Sequence, residues 1–136
     1  MRSAAHEVLA QATPNDGEVG ILVAKMVRGN RELIAGLVRD PSFGRCVMLG
    51  IGGIFAEALG DVTFRAAPLT RRDALSMIEE LHTQELLGPF RGEPAVDREQ
   101  LADVLVGLGR AALAEPSIDS ADVNPLILSG NSSIAV

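Results

Sequence analysis

The middle of the chain reads MLGIGGIFAE over residues 48–57, with three glycines in four positions between apolar residues and a glutamate. Glycine has no Cβ and tolerates a positive φ, so this backbone can approach a bound ligand or a second strand closely. The spacing differs from the dinucleotide-binding fingerprint, and the segment lacks the lysine and serine or threonine of a P-loop. Taken alone, the segment fits two interpretations: a glycine loop that binds a ligand, or a tight connection between two strands.

The residues before the glycine segment predict one helix and three strands. Apolar residues at helical spacing predict a short helix over about residues 3–12. Two runs of β-branched and apolar residues, Val19 to Val27 and Glu32 to Val38, are separated by a short turn and predict an antiparallel hairpin. A third strand is expected over Arg45 to Leu49.

After the glycine segment, the pattern changes from strands to helices. Ile54 to Leu59 and Val62 to Ala67 predict two more short strands. Thr70 then provides an N-cap, with Asp73 three residues later as an acidic variant of the capping box. The helix that follows carries its apolar residues on one face.

The clearest helical pattern lies further along the chain. Apolar residues from Leu101 to Ala112 recur at the spacing of one helical face, and Asp97 is the expected N-cap. Ala121 to Leu128 and Ser133 to Val136 predict two final strands. Strands and helices in this order favour an α+β fold with a mainly antiparallel sheet and about three helices.

Composition limits the class of protein. The 136 residues suffice for a single domain with a buried core, and 47% of them are hydrophobic. The formal net charge of −6 argues against a nucleic-acid-binding surface, which needs a basic patch. The sequence contains no apolar run long enough to predict a membrane span and no continuous apolar stretch typical of a signal peptide, so a cytoplasmic location is expected. The single cysteine, Cys46, falls within a predicted strand, where we expect it to be buried.

Six segments of the chain occur in the order found in one known family. They are RELIAG (31–36), RDPSFG (39–44), GIGGIF (50–55), FRAAPL (64–69), FRGEP (90–94) and DVNPL (122–126). The series resembles the C-terminal portion of the ATP-grasp domain of NDP-forming acyl-CoA synthetases, the family of ADP-forming acetate–CoA ligases. The resemblance extends from about Ala5 to Val136 and implies a partial ATP-grasp domain that occupies residues 1–136 as one unit.

The resemblance implies a nucleotide-binding role. In this family the intact enzyme converts a carboxylic acid, CoA and ATP to acyl-CoA, ADP and phosphate, and the ATP-grasp domain holds Mg-ATP. The resemblance also implies that the remaining synthetase domains or subunits, which bind CoA and complete the ligase, are partners of this chain. The residues it places at the nucleotide are Lys25, Met26, Glu32, Gly52, Gly53, Glu57 and Arg65.

Asp122 and Asn124 form the candidate metal site. They stand two residues apart on a predicted strand, so their side chains share one face. Mg²⁺ takes oxygen ligands and is often held by one or two carboxylates together with phosphates. The pattern also fits ordinary turn chemistry ahead of Pro125, whereas the resemblance implies that the Asn124 side chain faces the ion.

The chain departs from the family pattern in three ways. The Gln-Glu pair that usually precedes the methionine of the adenosine-binding hinge is Ala24-Lys25 here, and an ammonium group cannot accept a hydrogen bond from a ribose hydroxyl. The second metal-binding acid, expected after the last strand, has no counterpart. An upstream lid segment with a phosphate-binding lysine is likewise not found. We therefore expect weak or absent nucleotide binding by this chain alone, and no catalytic residue is assigned.

Glu32 and Arg65 are charged residues within apolar strand patterns. Each is expected to need a partner, because an unpaired charge in an apolar setting is costly. Arg39 is a further possible partner of Glu32, and a structural ion pair between Glu32 and Arg65 and contacts to a ligand are both compatible with the sequence. The two histidines, His6 and His82, match no motif and are expected at the surface.

Two functions are open at this point. The chain is either the nucleotide-binding piece of an ADP-forming acyl-CoA synthetase, inactive in isolation, or a non-catalytic ATP-grasp-like module that regulates or scaffolds, as in some bacterial protein acetyltransferases. An uncovered sheet edge or apolar patch tends to be buried by self-association, so a homo-oligomer is expected in either case.

Overall fold

A computed structural model of the chain describes residues 2–53 and 60–136, and within them one antiparallel sheet packs against helices. The helices are α1 (Arg2–Leu9), α2 (Arg71–Glu80) and α3 (Arg98–Ala114), with short 3₁₀ turns at Pro14–Asp16 and Gln84–Leu86. The strands are β1 (Arg31–Asp40), β2 (Gly44–Ile51), β3 (Val62–Ala66), β4 (Ser120–Ser129) and β5 (Ser132–Ala135). They lie in the order β3-β2-β1-β4-β5, with every neighbouring pair antiparallel. The predicted α+β class is confirmed.

Local sequence signals determine where α2 and α3 begin. The Asp73 backbone N–H donates to the Thr70 hydroxyl at 3.2 Å, and the Thr70 N–H donates to the Asp73 carboxylate at 2.8 Å. This reciprocal arrangement is the predicted capping box. Asp97 accepts hydrogen bonds from the backbone N–H groups of Glu99 and Gln100, both at 3.0 Å. Both predicted N-caps are confirmed.

The core lies between the sheet and the helices α2 and α3. Alternate residues of the two central strands are at most 5% exposed on this side: Leu33, Ala35, Leu37, Val47, Leu49 and Ile51. The helices contribute fully buried side chains that include Met77, Ile78, Leu101 and Leu105. The residues that alternate with the core positions of the strands therefore face the opposite side of the sheet, which we name the open face.

The predicted strand over Val19 to Val27 is wrong. The structure shows no regular secondary structure between the 3₁₀ turn at Pro14–Asp16 and the start of β1, so the predicted hairpin does not form. The apolar pattern is present, but a strand also needs a neighbour for its backbone groups, and none of the described strands pairs with this segment. The first helix ends at Leu9, three residues earlier than predicted, and the predicted strand over Ile54 to Leu59 lies outside the described residues.

A buried arginine joins three separate parts of the chain. Arg31, at the start of β1, is 2% exposed. Its guanidinium forms an ion pair with Glu93 at 3.1 Å. It also donates to four backbone carbonyls, those of Leu86, Gly88, Pro94 and Gly130. These bonds hold the loop between α2 and α3, and the turn between β4 and β5, against the first residue of β1.

A buried carboxylate fixes the chain as it leaves α2. Asp61 is 5% exposed and accepts hydrogen bonds from the backbone N–H groups of His82 and Thr83, both at 2.8 Å, and from the Thr83 hydroxyl at 2.6 Å. Burial opposes the ionisation of Asp61, but the hydrogen bonds from Thr83 and His82 outweigh it and lower the pKa to about 2. Asp61 therefore anchors the start of β3 to the end of α2.

Within the described residues, the helices are all too short or too polar to cross a lipid bilayer. The single cysteine is buried in β2, as predicted, and burial raises the pKa of its thiol.

Candidate functional site

A shallow cavity of about 350 Å³ lies on the open face of the sheet. Its floor is formed by Ile34 and Gly36 of β1 and by Met48 of β2. Asp122 and Asn124 of β4 stand along one side of it. The cavity thus combines an apolar floor with a polar edge that carries one carboxylate and one carboxamide.

The local structure of β4 explains why Asp122 and Asn124 both line this cavity. Ala121 and Val123 pack towards the core, so the residues that alternate with them turn to the open face. The pairing with β1 then becomes irregular: Leu33 lies opposite Leu126 and Ala35 lies opposite Val123, so β4 has one extra residue there. This bulge returns Leu126 and Leu128 to the core while Asn124 remains on the open face.

A second cavity, of about 340 Å³, lies where β1 begins and β2 ends. Its lining includes Asn30, Glu32, Gly52 and Gly53. Gly53 has a φ of +80°, a conformation that favours glycine. The two cavities therefore lie at successive positions along β1, with Glu32 at one and Ile34 at the other.

Gly52 has a structural reason to be glycine. Its backbone N–H donates to the Glu32 carbonyl at 2.8 Å, and a Cβ at position 52 would lie 3.0 Å from the carbonyl carbon and oxygen of Glu32. The close approach of two backbones thus accounts for this glycine without a ligand. Of the two interpretations of the glycine segment, the tight connection holds at Gly52.

The structure separates Glu32 from Arg65, so the ion pair considered from the sequence does not form. Arg65 lies on the helix side of the sheet, where its guanidinium pairs with Glu80 and donates to the Ser76 hydroxyl at 3.4 Å. Within the described residues, the Glu32 carboxylate has no hydrogen-bond or ion-pair partner. It lies beside Gly53, because a Cβ at Gly53 would stand 3.8 Å from Glu32 Oε2.

The other predicted site residues are not brought to the cavities. Lys25 and Met26 lie in the segment without regular secondary structure, Met26 is 82% exposed, and neither residue lines either cavity. Glu57 lies outside the described residues. No cluster of three or more histidine, cysteine, aspartate or glutamate side chains suited to a metal ion is found in residues 2–53 and 60–136. Asp122 and Asn124 thus supply two oxygen groups, and a bound cation would need phosphate or water oxygens in addition.

A family model described as an ATP-grasp domain matches residues 1–136. The chain belongs to the ATP-grasp family. A curated relative, the beta subunit of acetate–CoA ligase (ADP-forming) I from Pyrococcus furiosus, is 47% identical over 117 residues, which cover 86% of this chain and 50% of the relative. The chain therefore spans about half the length of that relative.

Solved structures support the same family at the level of the fold. The acetyl-coenzyme A synthetase 1 of Candidatus Korarchaeum cryptofilum, solved with coenzyme A, acetyl-coenzyme A and a phosphorylated phosphohistidine segment, superposes with a TM-score of 0.89 at 42% identity. The match covers 99% of this chain and 62% of that chain. The same synthetase solved with coenzyme A and Mg-AMPPCP gives a TM-score of 0.69 at 48% identity, covering 75% of this chain and 47% of that chain. The resemblance read from the sequence is thus confirmed, including the partial ATP-grasp fold.

Sequence reasoning missed two residues of the larger cavity. Ile34 and Met48 form the apolar floor of the larger cavity, but neither was singled out among the apolar residues of the strands. A signal was available in β1, where alternate residues are core positions and the residues between them must face the other side. Only the sheet order shows that Asp122 and Asn124 join that same face, because β4 is far from β1 in sequence.

Proposed function

We propose that this chain binds Mg-ATP or Mg-ADP on the open face of its sheet, as the nucleotide-binding part of an ADP-forming acyl-CoA synthetase. The observation that carries the proposal is the cavity that places the apolar Ile34 and Met48 beside Asp122 and Asn124. A nucleotide needs these two kinds of surface, an apolar one for its base and sugar and an oxygen-rich one for its metal–phosphate group.

In this proposal different residues of the larger cavity contact different parts of the nucleotide. Ile34 and Met48 pack against the nucleoside, and Asn124 and Asp122 supply oxygen ligands to Mg²⁺. Magnesium, when bound, neutralises charge on the phosphates and so favours phosphoryl transfer. Gly53 borders the phosphate end, where its positive φ turns the backbone so that the Gly53 N–H can face a phosphate oxygen, and Glu32 lines the same cavity.

Partners follow from the family relationship. The relatives named as acetate–CoA ligases are about twice the length of the aligned region or longer, and we assign CoA binding and ligation to the parts of such proteins that lie beyond the alignment. We propose that this chain acts together with those parts in the cytoplasm. The reaction of the whole synthetase would then be the conversion of an acid, CoA and ATP to acyl-CoA, ADP and phosphate.

A non-catalytic module is the second candidate, and two observations favour it. The larger cavity offers one carboxylate and one neutral amide, which is a weak ligand set for a divalent cation. Residue 25 is a lysine, whereas the resemblance implies a carboxylate there that accepts hydrogen bonds from the ribose. A module of this kind would bind nucleotide weakly and would transfer no phosphoryl group when the other synthetase parts are supplied.

The Asn124→Ala variant tests the metal site. We expect it to abolish the thermal shift that Mg-ADP produces in the wild-type chain, because it removes the amide oxygen from the cation. Asn131→Ala is the matched control, since Asn131 is exposed in the turn between β4 and β5 and lines neither cavity. Equal Mg-ADP shifts in wild type and Asn124→Ala would show that the metal binds elsewhere.

The Lys25→Glu variant tests the proposed hinge. A carboxylate at this position can accept hydrogen bonds from the ribose hydroxyls, so we expect Mg-ADP binding to strengthen by roughly 1 kcal/mol, the net scale of one hydrogen bond. Titration calorimetry measures the change. Lys25→Gln is the control, because it removes the positive charge without adding an anionic acceptor. If Lys25→Glu binds no better than Lys25→Gln, residue 25 does not contact the ribose.

A further inference from the structure

The segment FRGEP (90–94) forms a tight turn in the loop between α2 and α3. Phe90 and Glu93 pair through two backbone hydrogen bonds, of 3.1 and 2.9 Å. Between them, Arg91 has a φ of +47° and Gly92 a φ of +84°. Two successive residues with positive φ are typical of a type I′ turn, which reverses the chain within two residues. The turn therefore fixes the position of Glu93.

The Glu93 carboxylate contacts the last residue before β1 and the first residue of β1. Its Oε1 accepts a hydrogen bond from the side-chain amide of Asn30 at 2.8 Å, and its Oε2 pairs with the Arg31 guanidinium at 3.1 Å. A carboxylate only accepts hydrogen bonds, so Asn30 presents its NH₂ group to Glu93. One side chain thus sets the position of two consecutive residues.

These contacts hold one side of the smaller cavity. Asn30 and Arg31 line that cavity, and so does Leu86, whose carbonyl accepts a hydrogen bond from Arg31 at 3.0 Å. The glycine side of the cavity is joined separately to β1, by the backbone N–H of Gly52. The width of the cavity therefore depends on Glu93, which holds the side opposite the glycines and does not itself line the cavity.

We propose that Glu93 is a positioning residue for the phosphate end of the nucleotide site. The inference rests on the proposed function, which places a phosphate oxygen at the N–H of Gly53. A site binds its ligand more tightly when its walls are already ordered, because less conformational entropy is lost on binding. Glu93 orders the wall formed by Asn30 and Arg31, and in this way it strengthens the binding of the phosphates without contacting them.

The Asn30→Ala variant tests the contact from the side of the cavity. It leaves the buried Arg31–Glu93 pair in place, so we expect the fold to be kept. The dissociation constant for Mg-ADP should rise about fivefold, the ratio that corresponds to one net hydrogen bond, whereas that for adenosine should stay within about twofold of wild type. Adenosine carries no phosphate and therefore does not reach the ordered wall. NMR titrations measure both constants.

The Glu93→Gln variant tests the carboxylate itself. Glutamine has a single side-chain oxygen, which we expect to remain with the buried guanidinium of Arg31, so that its NH₂ group faces the NH₂ group of Asn30. Mg-ADP should again bind more weakly while adenosine binding is retained. Thermal unfolding checks that the titrations are made below the midpoint of unfolding. Glu85→Gln is the matched control and should bind both ligands as wild type does, because Glu85 is an exposed glutamate of the same loop that lines neither cavity.

The double variant of Asn30→Ala and Glu93→Gln tests whether the two residues act together. Each change removes the same hydrogen bond, so the double variant should lose about as much Mg-ADP affinity as either single variant. Losses that multiply in the double variant would show that Glu93 does not act through Asn30, and would overturn the inference.

The same titrations separate this inference from the proposed function. If the wild-type chain binds Mg-ADP and both single variants bind it equally well, Glu93 has no positioning role and the nucleotide site stands. Equal losses for Mg-ADP and adenosine would also overturn the inference, because they would show a general structural effect. A wild-type chain that binds neither ligand would contradict the proposed function, and with it the role of Glu93.

Discussion

Replacing Arg31 by methionine is expected to lower the free energy of unfolding by about 3–5 kcal/mol, the cost of breaking a buried ion pair by removing one partner. The physical reason is the set of acceptors left behind. Methionine fills much of the same volume but leaves the Glu93 carboxylate and the carbonyls of Leu86, Gly88, Pro94 and Gly130 without their donor. Urea unfolding of the two proteins measures the difference.

Arg39→Met is the matched control for this experiment. Arg39 also pairs with a carboxylate, that of Asp119 at 2.7 Å, but its side chain is half exposed and that of Asp119 is 77% exposed. An exposed pair of this kind contributes at most about 1 kcal/mol. If Arg31→Met and Arg39→Met lowered the free energy of unfolding equally, Arg31 would not organise the loops as described.

Replacing Asp61 by asparagine is expected to cost about 2 kcal/mol at neutral pH. The pKa of Asp61 falls from an ordinary 3.8 to about 2 on folding, and each pKa unit corresponds to about 1.4 kcal/mol of differential stability. The asparagine side chain has only one oxygen, so it cannot accept all the hydrogen bonds that the two carboxylate oxygens of Asp61 accept from Thr83 and His82. Unfolding curves at pH 7 test this value.

The pH dependence gives an independent check on Asp61. Because its pKa is lower in the folded state, its contribution is fully present above about pH 4 and is lost as the pH falls towards about 2. We expect Asp61→Asn to lose stability less steeply than wild type over this range. Asp119→Asn, at an exposed surface pair, should follow the wild-type curve. An unchanged pH profile for Asp61→Asn would contradict the proposed anchor.

Features that depend on nearby residues could be predicted from the sequence. The capping box of Thr70 and Asp73 and the N-cap at Asp97 involve partners within three residues, and both formed as expected. The strands β1, β2 and β4 carry continuous apolar patterns and were placed close to their observed bounds. Each of these strands pairs with another strand of the same sheet, so the strands expected from the apolar patterns do form in the structure.

Features that depend on distant residues could not be predicted. The partners of Arg31 lie 55 to 99 residues further along the chain, so no local pattern indicates its burial. The segment from Val19 to Val27 has the local pattern of a strand but does not form one, because a strand also needs a second strand to pair with. The sequence leaves a Glu32–Arg65 ion pair possible, whereas the alternation of β3 directs Arg65 to the helices and away from Glu32.

The candidate site was partly visible in the sequence. Two oxygen-bearing residues at alternate positions of a strand indicate a shared face, so Asp122 and Asn124 were found together. Their position beside Ile34 and Met48 required the order of the strands in the sheet. The glycine segment was a weaker indication of a ligand site than Asp122 and Asn124, because the close approach of β1 is sufficient to exclude a side chain at Gly52.

Paramagnetic broadening by Mn-ADP tests the central claim, a metal–nucleotide site on the open face, most directly. Mn²⁺ takes the same oxygen ligands as Mg²⁺ and broadens the amide signals nearest to it. We predict that, as Mn-ADP is added, the signals of residues 122–124 of β4 and of Ile34 to Gly36 on the adjacent part of β1 broaden first, and that those of α3, across the sheet, broaden less. Broadening confined to other parts of the chain, or no selective broadening at saturating Mn-ADP, would contradict the account.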